Sequence, residues 1–302
     1  MPESSMLTGM VRLVRGGVYL VALEDGTEVE ASLRGRLKLE KRDGDQVVIG
    51  DRVVVADVNG DYVVEEILPR ETQIVRVKGG RRARVLVANA DRLAAVVAAK
   101  DPKPQRELID RLLVVGESGG VAVTLVINKM DLDGAAAIAD GLAQVYESVG
   151  YPVLRVSATS GEGMPALQRM VSTGIVLFAG PSGAGKSSLV NALEPGLNLR
   201  TGELSRRTGT GRHTTVSSRL IPLSHGGLLA DTPGFSEVGL WGVERSELDR
   251  CFPEFRDHRD RCRFRSCSHL TEPDCGVQEA LAEGKVDAGR FESYRTLWEE
   301  AG

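Results

Sequence analysis

Gly180-Pro181-Ser182-Gly183-Ala184-Gly185-Lys186-Ser187 stands directly after the apolar run Ile175-Val176-Leu177-Phe178-Ala179 and directly before a stretch of helical length, residues 186–194. The octapeptide fits G-x-x-x-x-G-K-[ST] in the strand–loop–helix setting that this motif requires. Its glycines let backbone N–H groups wrap phosphate oxygens, and the helix N-terminus adds a favourable dipole. Lys186 would reach the β- and γ-phosphates and the Ser187 hydroxyl would ligate Mg²⁺, with Ser188 the next residue of the run. The motif therefore predicts a phosphate-binding α/β domain. Working outward, Leu93–Ala99, Val121–Ile127, Val153–Val156, Val216–Pro222 and Leu228–Ala230 read as further strands, and 104–117, 134–149 and 163–173 as helices. Continuous apolar runs of this kind belong to parallel strands covered on both faces, the pattern of a doubly wound sheet.

Asn128-Lys129-Met130-Asp131 sits at the C-terminal end of the strand Val121–Ile127, where ligands collect in open α/β sheets. The Asp131 carboxylate can accept from the N1–H and the exocyclic amine of guanine. Adenine lacks that pair of donors, and a site built on such bonds discriminates strongly. Asn128 can tie the loop to the base and the phosphate loop, while the Lys129 stem covers the ring. After the next strand comes Ser157-Ala158, whose Ala158 N–H suits guanine O6. The base is expected to be guanine.

Asp231-Thr232-Pro233-Gly234 follows Leu228–Ala230. Asp231 can hold Mg²⁺ through water, and the Gly234 N–H can meet the γ-phosphate. Before it lies the glycine-rich segment Gly209–Thr215, which reads as a switch: Thr215, or failing that Thr214, ligates Mg²⁺ when the γ-phosphate is present. Phe235 occupies the position directly after Asp-x-x-Gly where a water-orienting Gln stands in many small GTPases. It can neither donate nor accept. His213 is the nearest candidate in sequence for that task, and a loop-shaping or RNA-contacting role stands equally beside it.

Two flanking units complete the chain. Residues 9–75 carry short β-branched runs (Val11–Val14, Val18–Ala22, Val29–Ala31, Val47–Ile49, Val53–Ala56, Tyr62–Val64) separated by Asp25-Gly26, Asp43-Gly44 and Asn59-Gly60. Such dipeptides are hairpin signals, and the spacing suits a small OB-like β-barrel. Beyond residue 241, Cys262, Cys267, His269 and Cys275 offer three thiolates and an imidazole, a closed shell for one structural Zn²⁺. Cys251 falls outside that pattern and reads as a core residue beside Phe252 and Phe255.

The order of the nucleotide motifs is permuted. The base loops at 128–131 and 157–158 precede the phosphate loop, the switch threonines and Asp231–Gly234, whereas in ordinary GTPases they follow them. With a barrel before it, a Cys/His cluster after it and Gly211-Arg-His-Thr-Thr215 in the switch, the chain resembles the circularly permuted ribosome small-subunit-dependent GTPase A family over roughly residues 7–280. The resemblance implies GTP hydrolysis coupled to late maturation of the bacterial 30S subunit, with the subunit and its rRNA as partners.

Composition bounds these readings. At 302 residues with 42% hydrophobic and 26% charged side chains the chain has material for two or three domains. These are expected at 1–75 (barrel, RNA or ribosome binding), 76–243 (permuted GTPase) and 244–302 (zinc unit). No run approaches the ~20 apolar residues that span a bilayer, and the N-terminus lacks signal-peptide character. A cytoplasmic protein, monomeric when free and without membrane contact, is expected. Lys+Arg 38 against Asp+Glu 42 leaves −4, which excludes coating of nucleic acid by bulk charge. RNA contact must come from local patches, such as the basic side chains between Arg70 and Arg92 and the run Arg256–Arg265 with Phe255 and Phe264. A nucleotide-gated RNA-binding module with negligible turnover is the second functional reading, and Phe235 sustains it.

Overall fold

The computed structural model describes residues 5–35, 46–76, 84–197, 217–232 and 243–301. Thr214, Thr215, His213, Gly234 and Phe235 lie outside them. The N-terminal strands are β1 (Met6–Arg15), β2 (Val18–Leu23), β3 (Glu28–Leu33), β4 (Arg52–Val58) and β5 (Asp61–Ile67). Alternation in β2 turns Tyr19, Val21 and Leu23 inward, where they meet Val11, Val29, Ala31, Val53, Val55 and Val64. The strands pair in the order β1-β2-β3-β5-β4, and β4 returns to β1. Only β3 and β5 run parallel. Among the described residues closure leaves no free edge, as the expected OB-like barrel requires. Val47–Ile49, read from sequence as a strand, forms only a single bridge from Ile49 to Val87. The chain turns there because the Val48 N–H donates to the Asp51 side chain at 2.8 Å and Gly50 adopts φ +85°.

A hairpin not anticipated from the sequence follows, β6 (Gln73–Arg76) with β7 (Arg84–Ala88). It lies within the segment taken for a basic surface run. Ile74, Val85 and Val87 are buried in it, and Arg70 is committed to the buried Asp51 carboxylate at 2.7 and 2.9 Å.

The α/β unit contains β8 (Arg92–Ala98), α1 (Arg106–Ser118), β9 (Ala122–Asn128), α2 (Ala135–Ser148), β10 (Val153–Arg155), α3 (Met164–Val171), β11 (Ile175–Ala179), α4 (Lys186–Leu193), β12 (Ser218–Pro222) and β13 (Leu228–Asp231). The sheet order is β10-β9-β8-β11-β13-β12, parallel except for β12. Alternate residues of β8 face opposite helix layers. Leu93, Ala95 and Val97 pack with Ile109, Leu113 and Tyr146 of α1 and α2, and Ala94 and Val96 with Leu167, Leu189 and Val190 of α3 and α4. Both faces are covered, as the apolar runs required.

Barrel and α/β unit share one sheet. β1 shifts register between Val11 and Leu13, and beyond this irregularity Leu13 and Val14 pair with Arg219 and Ser218 of β12. The C-terminal unit consists of short helical turns over Arg245–Arg259, then α5 (Gly276–Ala282) and α6 (Ala288–Glu300). Its core of Leu248, Phe252, Phe255, Tyr294 and Leu297 includes Val114 of α1. Among the described residues no helix is long and apolar enough to cross a membrane.

Candidate nucleotide site and metal centre

The phosphate loop emerges from β11, whose five residues are all buried. Gly180 has φ +148°, and a Cβ there would lie 1.9 Å from the Val96 carbonyl oxygen. Gly185 has φ +92°, and a Cβ there would meet Asn128 Nδ2 at 2.2 Å. Both positions exclude a side chain, so these glycines are required by close approach as well as by conformation. Lys186 is 3% exposed. Its Nζ donates to the carbonyls of Gly180 and Pro181 at 2.7 and 2.9 Å, and burial pulls its pKa down to about 8. Ser187 is buried beside it. Ser182 and Gly183 are exposed at the loop crest, and Ala184 is buried.

Asn128 joins three loops. Its Nδ2 donates to the Ala184 carbonyl at 2.9 Å, and its Oδ1 accepts from the Ala158 N–H at 3.3 Å. Asp131 is exposed at the mouth, its carboxylate oriented by the buried Ser157 hydroxyl, which donates to Oδ1 at 2.5 Å. The same Ser157 oxygen accepts from the N–H groups of Thr159 and Ser160 at 3.2 and 3.0 Å. Residues 128–131, 157–158 and 180–188 therefore converge, as the permuted motifs predict. Lys129 takes φ +66°, and its Nζ donates to the Asp101 carbonyl. That contact reveals a wall the sequence reading missed. The segment Lys100–Pro102 runs beside both loops, with Lys100 Nζ donating to the Asp133 carbonyl at 3.3 Å and Pro102 bordering Gly183. No motif marks it.

Asp231 ends β13. The parallel register with β11, Ile175 opposite Leu228, carries it alongside the strand that enters the phosphate loop. Arg219 stands opposite it on β12 and its Nε donates to Asp231 Oδ2 at 3.2 Å. Ser187 and Asp231 supply a hydroxyl and a carboxylate, the oxygen donors that Mg²⁺ takes.

Cys262, Cys267, His269 and Cys275 place their ligand atoms within 4.8 Å of one another. Cys262 Sγ lies 3.8 Å from Cys275 Sγ and 3.5 Å from His269 Nδ1, and His269 Nδ1 lies 3.4 Å from Cys275 Sγ. Tetrahedral zinc with Zn–S of about 2.3 Å and Zn–N of about 2.0 Å demands edges of roughly 3.5–3.8 Å, which Cys262, His269 and Cys275 meet, and Cys267 lies within 4.8 Å of all three. His269 reaches this position at φ +62°, and its buried Nε2, without a hydrogen bond, faces Asp249 Oδ2 at 3.7 Å. Asp249 therefore stands where a carboxylate would receive the second N–H of a metal-bound imidazole; nothing in the sequence spacing flagged it. Cys251 sits in the Phe252–Phe255 core, away from the ligands. The arginines of this unit are less free than the sequence suggested. Arg256 pairs with Glu117, Arg259 with Asp249 and Arg263 with Asp274, while Phe264 is 45% exposed.

The sequence profile of the RsgA GTPase family matches residues 67–241. The chain is 45% identical to the small ribosomal subunit biogenesis GTPase RsgA of Gemmatimonas aurantiaca, covering 97% of either protein. It is 40% identical to the protein of that name from Caldanaerobacter subterraneus subsp. tengcongensis, over 96% of this chain and 94% of the relative. Among solved structures, YjeQ from Thermotoga maritima superposes with a TM-score of 0.80 at 32% identity, over 98% of this chain and 99% of that one. YloQ, a circularly permuted GTPase, gives 0.75 at 29% identity, over 98% and 95%. The likeness runs over nearly the whole of each chain, and the chain belongs to the RsgA GTPase family.

Proposed function

We propose that this GTPase is a late assembly factor of the small (30S) ribosomal subunit, and that docking on the subunit and its rRNA stimulates its turnover. The relatives' name supports the partner. The observation that carries the nucleotide reading is Asn128, one buried amide bonded to both the phosphate loop and the Ser157-Ala158 loop. Guanine and phosphates would then be read by one rigid constellation. Residues 1–75 and 244–302 would contact the subunit, and residues 76–243 would carry the chemistry in the cytoplasm, in a chain monomeric when free.

Each residue has a definable task. The amides of Gly183–Ser188 would cradle the phosphates, and Lys186 would exchange two carbonyls for phosphate oxygens. Asp131, already oriented by Ser157, would accept from guanine N1–H and the amine. The Ala158 N–H, held only at 3.3 Å by Asn128, would turn to guanine O6. Ser187, Thr215 and, through water, Asp231 would hold Mg²⁺, which when bound offsets phosphate charge; Gly234 would meet the γ-phosphate. Phe235 cannot orient water, so His213 or a group of the subunit would do so.

The test is GTP turnover by the full chain with and without purified 30S subunits, with ATP as control. Strong subunit-dependent GTP turnover supports the proposal. Tight GTP binding with no stimulation favours the nucleotide-gated RNA-binding module instead, and preference for ATP removes both. In the same assay Asp131→Asn exchanges an acceptor for a donor. A charged hydrogen bond is worth ~1.5–3 kcal/mol, so GTP affinity should fall at least tenfold while xanthosine triphosphate gains. Unchanged GTP affinity would move the base site elsewhere.

A further inference from the structure

The phosphate loop and Asp231 are held in a self-satisfied arrangement. Lys186, the cation meant for phosphates, spends its protons on the Gly180 and Pro181 carbonyls. Asp231, the carboxylate meant for Mg²⁺-bound water, spends an oxygen on Arg219. The two residues are direct cross-strand partners in the antiparallel β12–β13 pair, so their side chains leave the same face of the sheet. Asp231 retains 10% side-chain exposure and Arg219 retains 39%. The guanidinium therefore approaches a nearly buried carboxylate from the solvent side.

We propose that Arg219 is a positioning residue that holds Asp231 and competes with Mg²⁺ for it, and so sets how much Mg²⁺ nucleotide binding requires. Two physical effects act in the same direction. A carboxylate that already shares Oδ2 with Arg219 is a weaker acceptor for a metal-bound water, and the fixed positive charge repels the divalent cation at short range. The position of Arg219 adds a second link. Its backbone pairs on the other edge with Leu13 of β1, so the strand that joins the barrel to the GTPase sheet also carries the residue that holds Asp231. A shift of the barrel would displace Arg219 relative to Asp231 and alter the competition. The inference rests on the reading of Asp231 as the Mg²⁺-side carboxylate.

The experiment measures binding of a fluorescent methylanthraniloyl β,γ-imido-GTP to the full chain, in EDTA and across a Mg²⁺ titration. The ratio of Kd in EDTA to Kd at saturating Mg²⁺ isolates the metal contribution and cancels any change in direct nucleotide contacts. Arg219→Gln should lower the Mg²⁺ midpoint three- to tenfold and raise that ratio by a similar factor. Arg219→Lys, which keeps the charge, should return the midpoint close to that of the unaltered chain; a merely structural role for Arg219 would not give this rescue. A midpoint in Arg219→Gln that is unchanged or higher overturns the proposal. Asp231→Asn separates the two levels. If it abolishes the Mg²⁺ dependence while Arg219→Gln does nothing, Arg219 is a bystander. If Asp231→Asn leaves the dependence intact, the reading of Asp231 fails, and the proposal with it.

Discussion

At the scale of single residues, the candidate nucleotide site holds one group, Lys186, whose charge its chemistry would need and whose burial opposes that charge. Desolvation lowers its pKa from 10.5 to about 8, so the folded chain holds this proton less firmly than the unfolded chain does. The sign follows: the group favours the folded state fully only above its unfolded pKa, and that contribution is lost as pH falls through about 8. Phosphate oxygens reverse the balance by favouring the ammonium. GTP binding near pH 8 should therefore take up roughly half a proton through this residue, and less at pH 7. Calorimetric titration in buffers of different ionisation enthalpy reads the uptake directly. Lys186→Arg, charged at every accessible pH, should remove it. Binding heats independent of buffer in the unaltered chain would show that Lys186 is already fully charged when the loop is empty.

At the scale of elements, what could be read in the sequence was what is local. β11 and the phosphate loop follow from one apolar run and one glycine pattern, and their limits fall where the residues place them. The Cys/His cluster was legible for the same reason, since Cys262, Cys267, His269 and Cys275 lie within fourteen consecutive positions. Val47–Ile49 was misread because β-branched composition cannot show that Asp51 captures the Val48 N–H. The β6–β7 hairpin was hidden because each strand is short and bounded by arginines. Arg219 and Asp249 were invisible, because their partners are set by strand register and by tertiary packing. Of these elements the Cys/His cluster is the most exposed to test. Glu272 clasps it by accepting from the Ser268 N–H at 2.8 Å, the Ser268 hydroxyl at 2.9 Å, and the Leu270 and Thr271 N–H groups at 3.2 Å. Those donors hold its carboxyl down at about 2, so it keeps its accepting charge throughout mild acid. Cys267→Ser should lose stoichiometric zinc by metal analysis. Glu272→Gln should retain it with affinity lowered ~10–100-fold, the usual effect of removing a group that orients ligands. A Cys267→Ser protein that keeps one tightly bound zinc would reject the ligand set.

At the scale of the whole molecule, two seams join the three units. The first is the β1–β12 pairing, which makes barrel and GTPase sheet continuous. The second is the packing of the C-terminal unit on α1. Arg290 of α6, 1% exposed, donates to Asp110 of α1 at 2.6 Å and to both oxygens of Glu254 at 2.7 and 2.9 Å, with its guanidinium 4.8 Å from the Phe252 ring centroid. Arg111 adds two bonds to Glu300 at 2.5 and 2.7 Å. The loop that leads into α1 is Lys100–Gln105, whose Asp101 carbonyl receives Lys129 of the base loop. The C-terminal unit is thus fixed to the helix whose entry borders the candidate nucleotide site. The expected consequence is cooperativity. Nucleotide at a hundredfold excess over its Kd stabilises whatever unfolds with the site by ~2.7 kcal/mol. In the unaltered chain GTP should therefore slow hydrogen exchange in α6 as much as in α4. Arg290→Met leaves Asp110 and Glu254 uncompensated, a loss of ~3–5 kcal/mol for a buried ionic group deprived of its partner. It should split one thermal transition into two, with GTP then protecting α4 alone. Replacing Asp110, Glu254 and Arg290 together by Leu, Met and Met should recover most of the stability and the single transition, because apolar packing substitutes for a buried ionic cluster at little or no cost. Separate transitions in the unaltered chain, with α6 indifferent to GTP, would mean that the α1 seam holds the C-terminal unit in place without coupling it to the nucleotide.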